Sequence, residues 1–236
     1  MTNSTTLRDV LAILAAGSLL ALGACSGGGD DDGGDGGDDT CGFGSDEYLP
    51  YQAGFSWTYQ ITDLVSGAKE TKEQHLEPEM EHPDFGTVLT QVTGKLNGTT
   101  ISLTRKEGDR VLRFQQEDRD ATDTLEKTTT YDPAEIRIDE SPDRIVEGAE
   151  WDETYTETID DPVNGTTAIP TVDHWVVLGV DEACDSPLGT FMCLRVRRTR
   201  TMGGIAEKEF HFARGIGKVR EIGSNQLEEL SACAAE

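Results

Sequence analysis

Apolar and polar residues alternate with a period of two along most of the chain after residue 50. Phe55, Trp57, Tyr59 and Ile61 alternate with polar residues, which is typical of a strand with one buried face. Similar segments bring the number of expected strands to about twelve. The others lie at residues 88–92, 101–103, 111–115, 124–131, 135–139, 151–159, 172–180, 190–201, 206–212, 217–222 and 226–230. Helical periodicity is nearly absent, so the pattern predicts an all-β fold with little helix.

Turn signals separate these segments. Asn97-Gly98 and Asn164-Gly165 are dipeptides typical of tight hairpins, which favours an antiparallel meander. A sheet of about twelve strands usually curls or closes, because open edges invite aggregation. We therefore expect a strongly curved antiparallel sheet or a partly open barrel. The acidic stretches at residues 77–86 and 116–123 are expected to be irregular or helical loops.

The start of the chain has a different pattern. Residues 10–22 are apolar, too short for a membrane-spanning helix of roughly 20 residues but typical of an export signal. Leu22-Gly23-Ala24-Cys25 follows directly and resembles the signal of bacterial lipoproteins, in which lipid is attached to the cysteine after cleavage. The resemblance implies that Cys25 carries acyl chains such as palmitate and anchors the protein to a membrane of the cell envelope. Ser26 favours the outer membrane, at its periplasmic face or the cell surface. An ordinary export signal with an incidental cysteine is the alternative.

Three segments follow from this pattern. Residues 1–24 are interpreted as the lipoprotein signal peptide, residues 25–50 as the lipidated Cys and a disordered tether, and residues 51–236 as a single β-rich domain. Residues 26–40 contain only Ser, Gly, Asp and Thr, so they have no apolar surface to bury. Calcium binding by these Asp residues is an alternative, although Gly falls where an EF-hand loop needs its third oxygen ligand.

Four cysteines remain once Cys25 is assigned to the lipid. An even number of cysteines in an exported chain suggests disulfides. Three pairings are possible, and we favour Cys184 with Cys193, which flank a turn, and Cys41 with Cys233, which would join the two ends of the body. Zinc binding is disfavoured, because no C-x2-C pair is present.

The chain is strongly acidic, with a formal net charge of -25. Setting aside the Arg8–Asp9 pair and the 8 acids of residues 26–50 leaves 36 acids and 19 bases in the body. Such a body gains nothing from the phosphates of nucleic acids, which are therefore not expected as partners. Solubility, cationic partners and divalent ions are all compatible with this charge.

One short stretch could bind a divalent metal. His75, Glu77, Glu79 and His82 lie within eight residues and carry groups that ligate zinc and similar ions. Two prolines within and beside this stretch favour an extended loop, so the alternative is a solvated acidic loop. No cofactor-binding motif is present, and we expect no cofactor.

No motif of a known catalytic class is present. The chain has no H-E-x-x-H, no G-x-S-x-G and no phosphate-binding glycine loop, and we expect a protein that is not an enzyme. His174 and His211 lie in predicted strands and are interpreted as structural.

A run of arginines at residues 195–200 is unusual in so acidic a chain. Alternation places Arg195 and Arg197 on one face of a strand and Arg198 and Arg200 on the other. Pairing with acidic residues of the next strand is one interpretation, and an anion or lipid-headgroup site is another.

Three stretches of the body carry a further resemblance. They are residues 51–59, with Gly54, Trp57 and Tyr59, residues 188–194, with a Gly-Thr-Phe turn, and residues 210–219, with a Gly-Ile-Gly turn. Together they resemble uncharacterised bacterial secreted lipoproteins whose sheets are similar to the curved half-barrels of lipoprotein carriers (LolA/LolB-like). The resemblance implies a curved sheet with a concave face that holds acyl chains.

These observations favour a non-enzymatic envelope lipoprotein, attached to the membrane through Cys25. Its β-sheet would bind an apolar ligand on the concave face or a protein of the envelope. Two alternatives remain: a structural or surface-interaction lipoprotein with no small ligand, and a surface protein that binds divalent metal through residues 75–82.

Overall fold

The computed structural model describes residues 41, 44–204 and 206–235. Within them the chain forms thirteen strands and no helix, so the all-β prediction is confirmed. No described segment could cross a membrane as an apolar helix. The strands are β1 (Phe55–Asp63), β2 (Lys69–Leu76), β3 (Met80–His82), β4 (Gly86–Lys95), β5 (Gly98–Glu107), β6 (Arg110–Asp120), β7 (Leu125–Asp139), β8 (Glu150–Asp161), β9 (Gly165–Ser186), β10 (Gly189–Met202), β11 (Ala206–Ala213), β12 (Gly217–Gly223) and β13 (Gln226–Ala235).

The strands form one antiparallel sheet that closes on itself. Its order is β2-β1-β13-β12-β11-β10-β9-β8-β7-β6-β5-β4-β3, so most neighbours in space are neighbours in sequence. β2 also pairs with β4, with Glu73 opposite Gly94 and Leu76 opposite Gln91. Twelve strands therefore form a closed barrel, and β3 is an additional strand on β4. The predicted curvature is confirmed, and the closure is complete rather than partial.

The expectation of irregular loops at residues 77–86 and 116–123 is wrong in part. Residues 80–82 form β3, and residues 116–120 belong to β6. The strand over residues 69–76 had no sequence prediction. Its sequence, KETKEQHL, is almost entirely polar, and only Lys72 and Leu76 within it are buried.

One end of the barrel is closed by the segment that precedes β1, residues 44–54. Tyr48 and Leu49 are buried, and their backbone N–H groups donate to the two carboxylate oxygens of Glu140 at 2.8 and 2.9 Å. The Tyr48 hydroxyl donates to Asp181 at 2.8 Å. The body therefore includes at least residues 44–50, which the sequence analysis placed with the tether.

The apolar core lies beneath this segment. The Tyr51 hydroxyl lies 2.8 Å from both Gln91 Oε1 and Thr104 Oγ1, where the apolar part of the interior meets the polar part. The core is completed by inward side chains of most strands. Its members include Trp57, Leu76, Leu89, Val111, Ile138, Trp175, Val177, Leu194, Phe210, Phe212, Val219 and Leu230.

The opposite end of the barrel is called the open end below. Its hairpin loops connect β1–β2, β4–β5, β6–β7, β8–β9, β10–β11 and β12–β13.

Both disulfides join elements at the closed end. Cys41 is bonded to Cys233 near the end of β13, and Cys184 is bonded to Cys193 across the β9–β10 hairpin. These are the two pairings that the sequence analysis favoured. The first fixes the start of the described chain to its last strand.

We predict that Tyr48→Ala lowers the free energy of unfolding by about 3–5 kcal/mol, because it removes a fully buried aromatic side chain from the closed end. Val163→Ala is the control, since this side chain at the open end is 90% exposed. Its substitution is expected to change stability by less than about 0.5 kcal/mol. Urea unfolding monitored by tryptophan fluorescence measures both. Equal stability of the two variants would contradict a structural role for residues 44–54.

Candidate functional site

The interior between the apolar core and the open end contains a cavity of about 410 Å³. Its lining extends from Gln91 and Arg137 to Lys95 and Gln226, beside the hairpin loops of the open end. A second cavity of about 270 Å³ shares Arg113 and other side chains with the first. We call the two cavities together the lumen. The volume of the first cavity lies within the range of roughly 300–1,000 Å³ that is typical of small-molecule sites.

The lumen is lined mainly by polar and charged side chains. It contains nine Lys and Arg residues of the 20 in the chain, but seven Asp and Glu residues of the 45. The charge of the interior is therefore opposite in sign to the charge of the protein as a whole. Such an interior disfavours an apolar ligand, because binding would remove water from charged groups without replacing its hydrogen bonds.

Strand alternation and local register shifts place these charges inside. In β10, Val196 is buried in the core, and Arg198 and Arg200 follow on the same face. In β12, a register shift sets Lys218 opposite Phe212 and Glu221 opposite Phe210, so both charged side chains share the inner face with the two aromatic rings. The predicted division of the arginine run between two faces is therefore observed.

Glu135 is one of the two most enclosed charges in the lumen, with 1% of its side chain exposed. It accepts hydrogen bonds from Arg113 Nε and Arg198 Nη1, both at 2.7 Å. Burial raises the pKa of Glu135, but Arg113 and Arg198 outweigh burial and hold the pKa far below its usual value. This carboxylate of β7 therefore stays ionised and fixes guanidinium groups of β6 and β10, which are not adjacent in the sheet.

A second ion-pair group lies beside Glu135, nearer the open end. Arg200 donates to Asp173 at 3.1 Å and to the Tyr155 hydroxyl at 2.7 Å, and it pairs with Glu157 at 2.9 Å. Asp173 is fully buried and also accepts from the Tyr155 hydroxyl at 2.7 Å. These contacts join β8, β9 and β10 across the inner face of the sheet.

A lysine cluster lies on another part of the lumen wall. Lys72 and Lys218 both pair with Glu228, and Lys218 also pairs with Glu221 at 2.6 Å. Both ammonium groups lie near the Tyr59 ring, at 4.8 and 5.0 Å from its centroid. Burial lowers the pKa of Lys72 to about 7, and Lys218 adds to this shift. The charge of this wall therefore changes near neutral pH.

Glu153 is a second buried group that titrates near neutral pH. Burial raises its pKa to about 7, although its carboxylate accepts from the Ile136 N–H and from Trp175 Nε1. Lys72 and Glu153 together make the charge of the interior sensitive to pH.

Arg137 differs from the other lumen arginines. Within the described part of the chain its one ion pair is with Glu135, where Nη1 and Oε1 are 3.8 Å apart, longer than a hydrogen bond. Burial lowers the pKa of Arg137, and the neighbouring Arg113 lowers it further. The guanidinium is thus held inside the barrel without a close counter-ion among the described residues.

On the outer face, the predicted pairing of the arginine run is found for Arg195. Its guanidinium donates to Glu182 at 2.7 Å and to Glu209 at 3.1 Å. His211 Nε2 lies 2.8 Å from Glu209, so this histidine belongs to the same outer network. The side chain of Arg195 is one-third exposed, and pairs of this kind contribute little to stability.

The residues proposed for metal binding do not converge. His75 lies on the outer face of β2, with Nε2 4.0 Å from Glu77. His82 stacks on Phe85, with ring centroids 4.6 Å apart, and Glu79 is exposed. Among the described residues no group of three His, Cys, Asp or Glu side chains has a geometry suited to a metal ion. The structure therefore provides no support for a metal site at residues 75–82.

The predicted lipid-attachment residue Cys25, the predicted signal segment 1–24 and residues 26–40 of the predicted tether lie outside the described residues. The lumen, by contrast, was missed by the sequence analysis except for Arg198 and Arg200. Alternation along the strands does indicate that some charged side chains point inward. Residues two positions away from Lys72, Glu221 and Glu228 face the interior, so these three side chains are on the inner face as well.

Comparisons with known proteins identify two solved structures with a similar fold. No family model matches the chain. No curated protein matches it either. A predicted exported protein with a YmcC-like fold from Bacteroides fragilis NCTC 9343 is similar with a TM-score of 0.53 and 14% identity, over 79% of this chain and 98% of that one.

A second solved structure has similar coverage. It is a predicted lipoprotein from Parabacteroides distasonis ATCC 8503, with a TM-score of 0.50 and 11% identity, over 80% of this chain and 99% of that one. At these identities the two comparisons establish a shared fold. They extend over nearly the whole length of both relatives, so the barrel as a unit is what the three proteins have in common.

We predict that Glu135→Gln lowers the free energy of unfolding by about 3–5 kcal/mol at pH 7, because it removes the carboxylate to which two buried guanidinium groups are hydrogen-bonded. The lowered pKa of Glu135 means that its contribution is present above pH 4.5 and is lost as the pH falls below that value. The difference between wild type and variant should therefore shrink in acid. Urea unfolding at several pH values measures this difference.

The matched control for this prediction is Glu182→Gln, which removes the partly exposed partner of Arg195. A loss of less than about 1 kcal/mol is expected for it. Similar losses for the two variants would show that Glu135 does not organise the lumen.

Proposed function

We propose that this chain is a lipid-anchored, non-enzymatic protein of the bacterial cell envelope whose barrel lumen binds a small polar ligand. The observation that carries the proposal is the cavity of about 410 Å³ with its polar and charged lining. The resemblance of residues 10–25 to a lipoprotein signal supports the envelope as its location. The two structural relatives, one described as an exported protein and the other as a lipoprotein, are consistent with that location.

The polar lining favours a different ligand from the apolar one expected from the sequence. In a lipid carrier, inward side chains should be apolar, because dispersion contacts and exclusion of water hold the acyl chains. Here Lys72, Arg113 and Glu228 line the cavity instead. A ligand with hydroxyl, carboxylate, amide or phosphate groups could replace the hydrogen bonds that these side chains make to water.

A surface-interaction protein with no small ligand is the second candidate. One observation favours it: several large apolar side chains are exposed at the hairpin tips of the open end. They are Leu64, Val65, Leu96, Val163 and Met202. Side chains of this kind are common at sites where proteins meet, although isolated ones also occur on ordinary surfaces.

The anchor is tested by Cys25→Ala. We expect this variant to lose incorporation of labelled palmitate and to move from the membrane fraction to the soluble fraction of the envelope, because the acyl chains supply the membrane affinity. Ser26→Ala is the control and should keep both properties. Membrane association that persists in the Cys25→Ala variant would contradict the proposed anchor.

The lumen is tested by Gln74→Trp and its neighbour His75→Trp. Gln74 lines the cavity, whereas His75 lies on the outer face, so the same side chain is added on opposite sides of one strand. Native mass spectrometry of protein purified from its own envelope would measure the retained small molecule. We expect added mass in the wild type and in His75→Trp, and its loss in Gln74→Trp.

Two results would contradict ligand binding in the lumen. One is a bare chain in the wild type, and the other is a retained mass that Gln74→Trp does not reduce. Capture of envelope proteins that is equal in both tryptophan variants would then favour the surface-interaction candidate. Unfolding midpoints of the two variants should be compared first, to ensure that each barrel is intact.

A further inference from the structure

One of the residues that line the lumen, Arg137, is the extra residue of a β-bulge. Ile136 lies opposite Leu112 and Ile138 lies opposite Val111, so the residue between them has no cross-strand partner on β6. Bulges redirect side chains and are frequent beside functional sites. Here the bulge directs an arginine into the cavity, whose lining includes its side chain.

The fold does not need this arginine to neutralise Glu135. The Glu135 carboxylate already accepts hydrogen bonds at 2.7 Å from Arg113 and from Arg198. Arg137 lies 3.8 Å from the same carboxylate, and 29% of its side chain remains exposed to the cavity. A third guanidinium at this point adds repulsion, which agrees with its lowered pKa.

Other residues that line the same cavity as Arg137 can complete a polar site. Gln91, Ser102 and Gln116 line the same cavity and can donate or accept hydrogen bonds. Lys218 also lines this cavity, where it is paired with Glu221 and Glu228. The site therefore combines a fork-shaped cation with neutral hydrogen-bonding groups, in a space large enough for a small molecule.

We infer that Arg137 binds an oxyanion group, a carboxylate or a phosphate, carried by the small polar ligand of the lumen. The inference rests on the proposed ligand-binding function and adds the chemical class of the ligand to it. A planar guanidinium matches both anions through paired N–H donors. A bound anion would supply the close counter-ion that the described residues do not provide.

The test is isothermal titration calorimetry of the full mature chain, kept free of detergent by Cys25→Ala, with inorganic phosphate and with succinate at constant ionic strength. We expect saturable binding of at least one of the two, and the one bound more tightly identifies the anion class. Arg137→Gln should weaken this binding by about 10- to 100-fold, the effect of losing a hydrogen bond between charged groups. Arg137→Lys should have intermediate affinity, because lysine keeps the charge and lacks the fork.

The matched control is Arg197→Gln, which removes the same charge from the outer face of β10. It should bind the anion as the wild type does. Unfolding midpoints should show that Arg137→Gln is folded, and an unchanged or raised midpoint is expected, since the substitution relieves repulsion with Arg113.

Two outcomes would overturn the inference: no saturable binding of either anion to the wild type, and equal affinity in Arg137→Gln. Its failure can be distinguished from failure of the proposed function. If Gln74→Trp abolishes retention of the native ligand while Arg137→Gln binds anions normally or the wild type binds none, the lumen holds a polar ligand that is not bound through an oxyanion at Arg137. If Gln74→Trp also has no effect, both proposals fail.

Discussion

The pairing of β2 with β4 is the constraint on which the rest of the structure depends. Without it, the sheet would be an open meander with two free edges and two solvated faces. With it, the sheet has an inside, and every second residue of twelve strands must be placed in a common interior. The closed end, the buried ion pairs and the cavity all follow from how side chains fill that interior or leave it unfilled.

A barrel of twelve strands is too wide for its own side chains to fill. About eight strands give an interior that side chains just fill, and the diameter grows with strand number. In this chain, aromatic and aliphatic side chains and residues 44–54 fill the interior at the closed end. Between this core and the open end, buried ion pairs around Glu135 and Glu228 connect the strands. Buried pairs of this kind are weak sources of stability, but they are costly to break singly, so they fix the positions of strands around a space that is not filled.

The sequence predicts the strands whose inward residues are apolar and misses the one that closes the barrel. β1 was found because Trp57 and Tyr59 face the core. β2 was missed because its inward residues include Lys72 and Gln74, which face the lumen, while Thr71 and His75 face solvent. Both faces are polar, so no alternation of hydrophobicity is visible. The candidate site was missed for the same reason: periodicity identifies a buried face only when burial is apolar.

The bulge at Arg137 was not predictable from pattern, because a bulge is defined by its partner strand and adds one residue to an otherwise regular alternation. The disulfides were easier, because an even number of cysteines and a turn between two of them limit the choices. The Cys41–Cys233 bond has a further consequence for the site. It fixes the described start of the chain at the closed end of the barrel, whereas the cavity lining reaches Lys95 and Gln226 at the open end. The described start of the chain and the polar cavity therefore lie toward opposite ends of one barrel, so the proposed ligand would enter without displacing the segment that closes the apolar core.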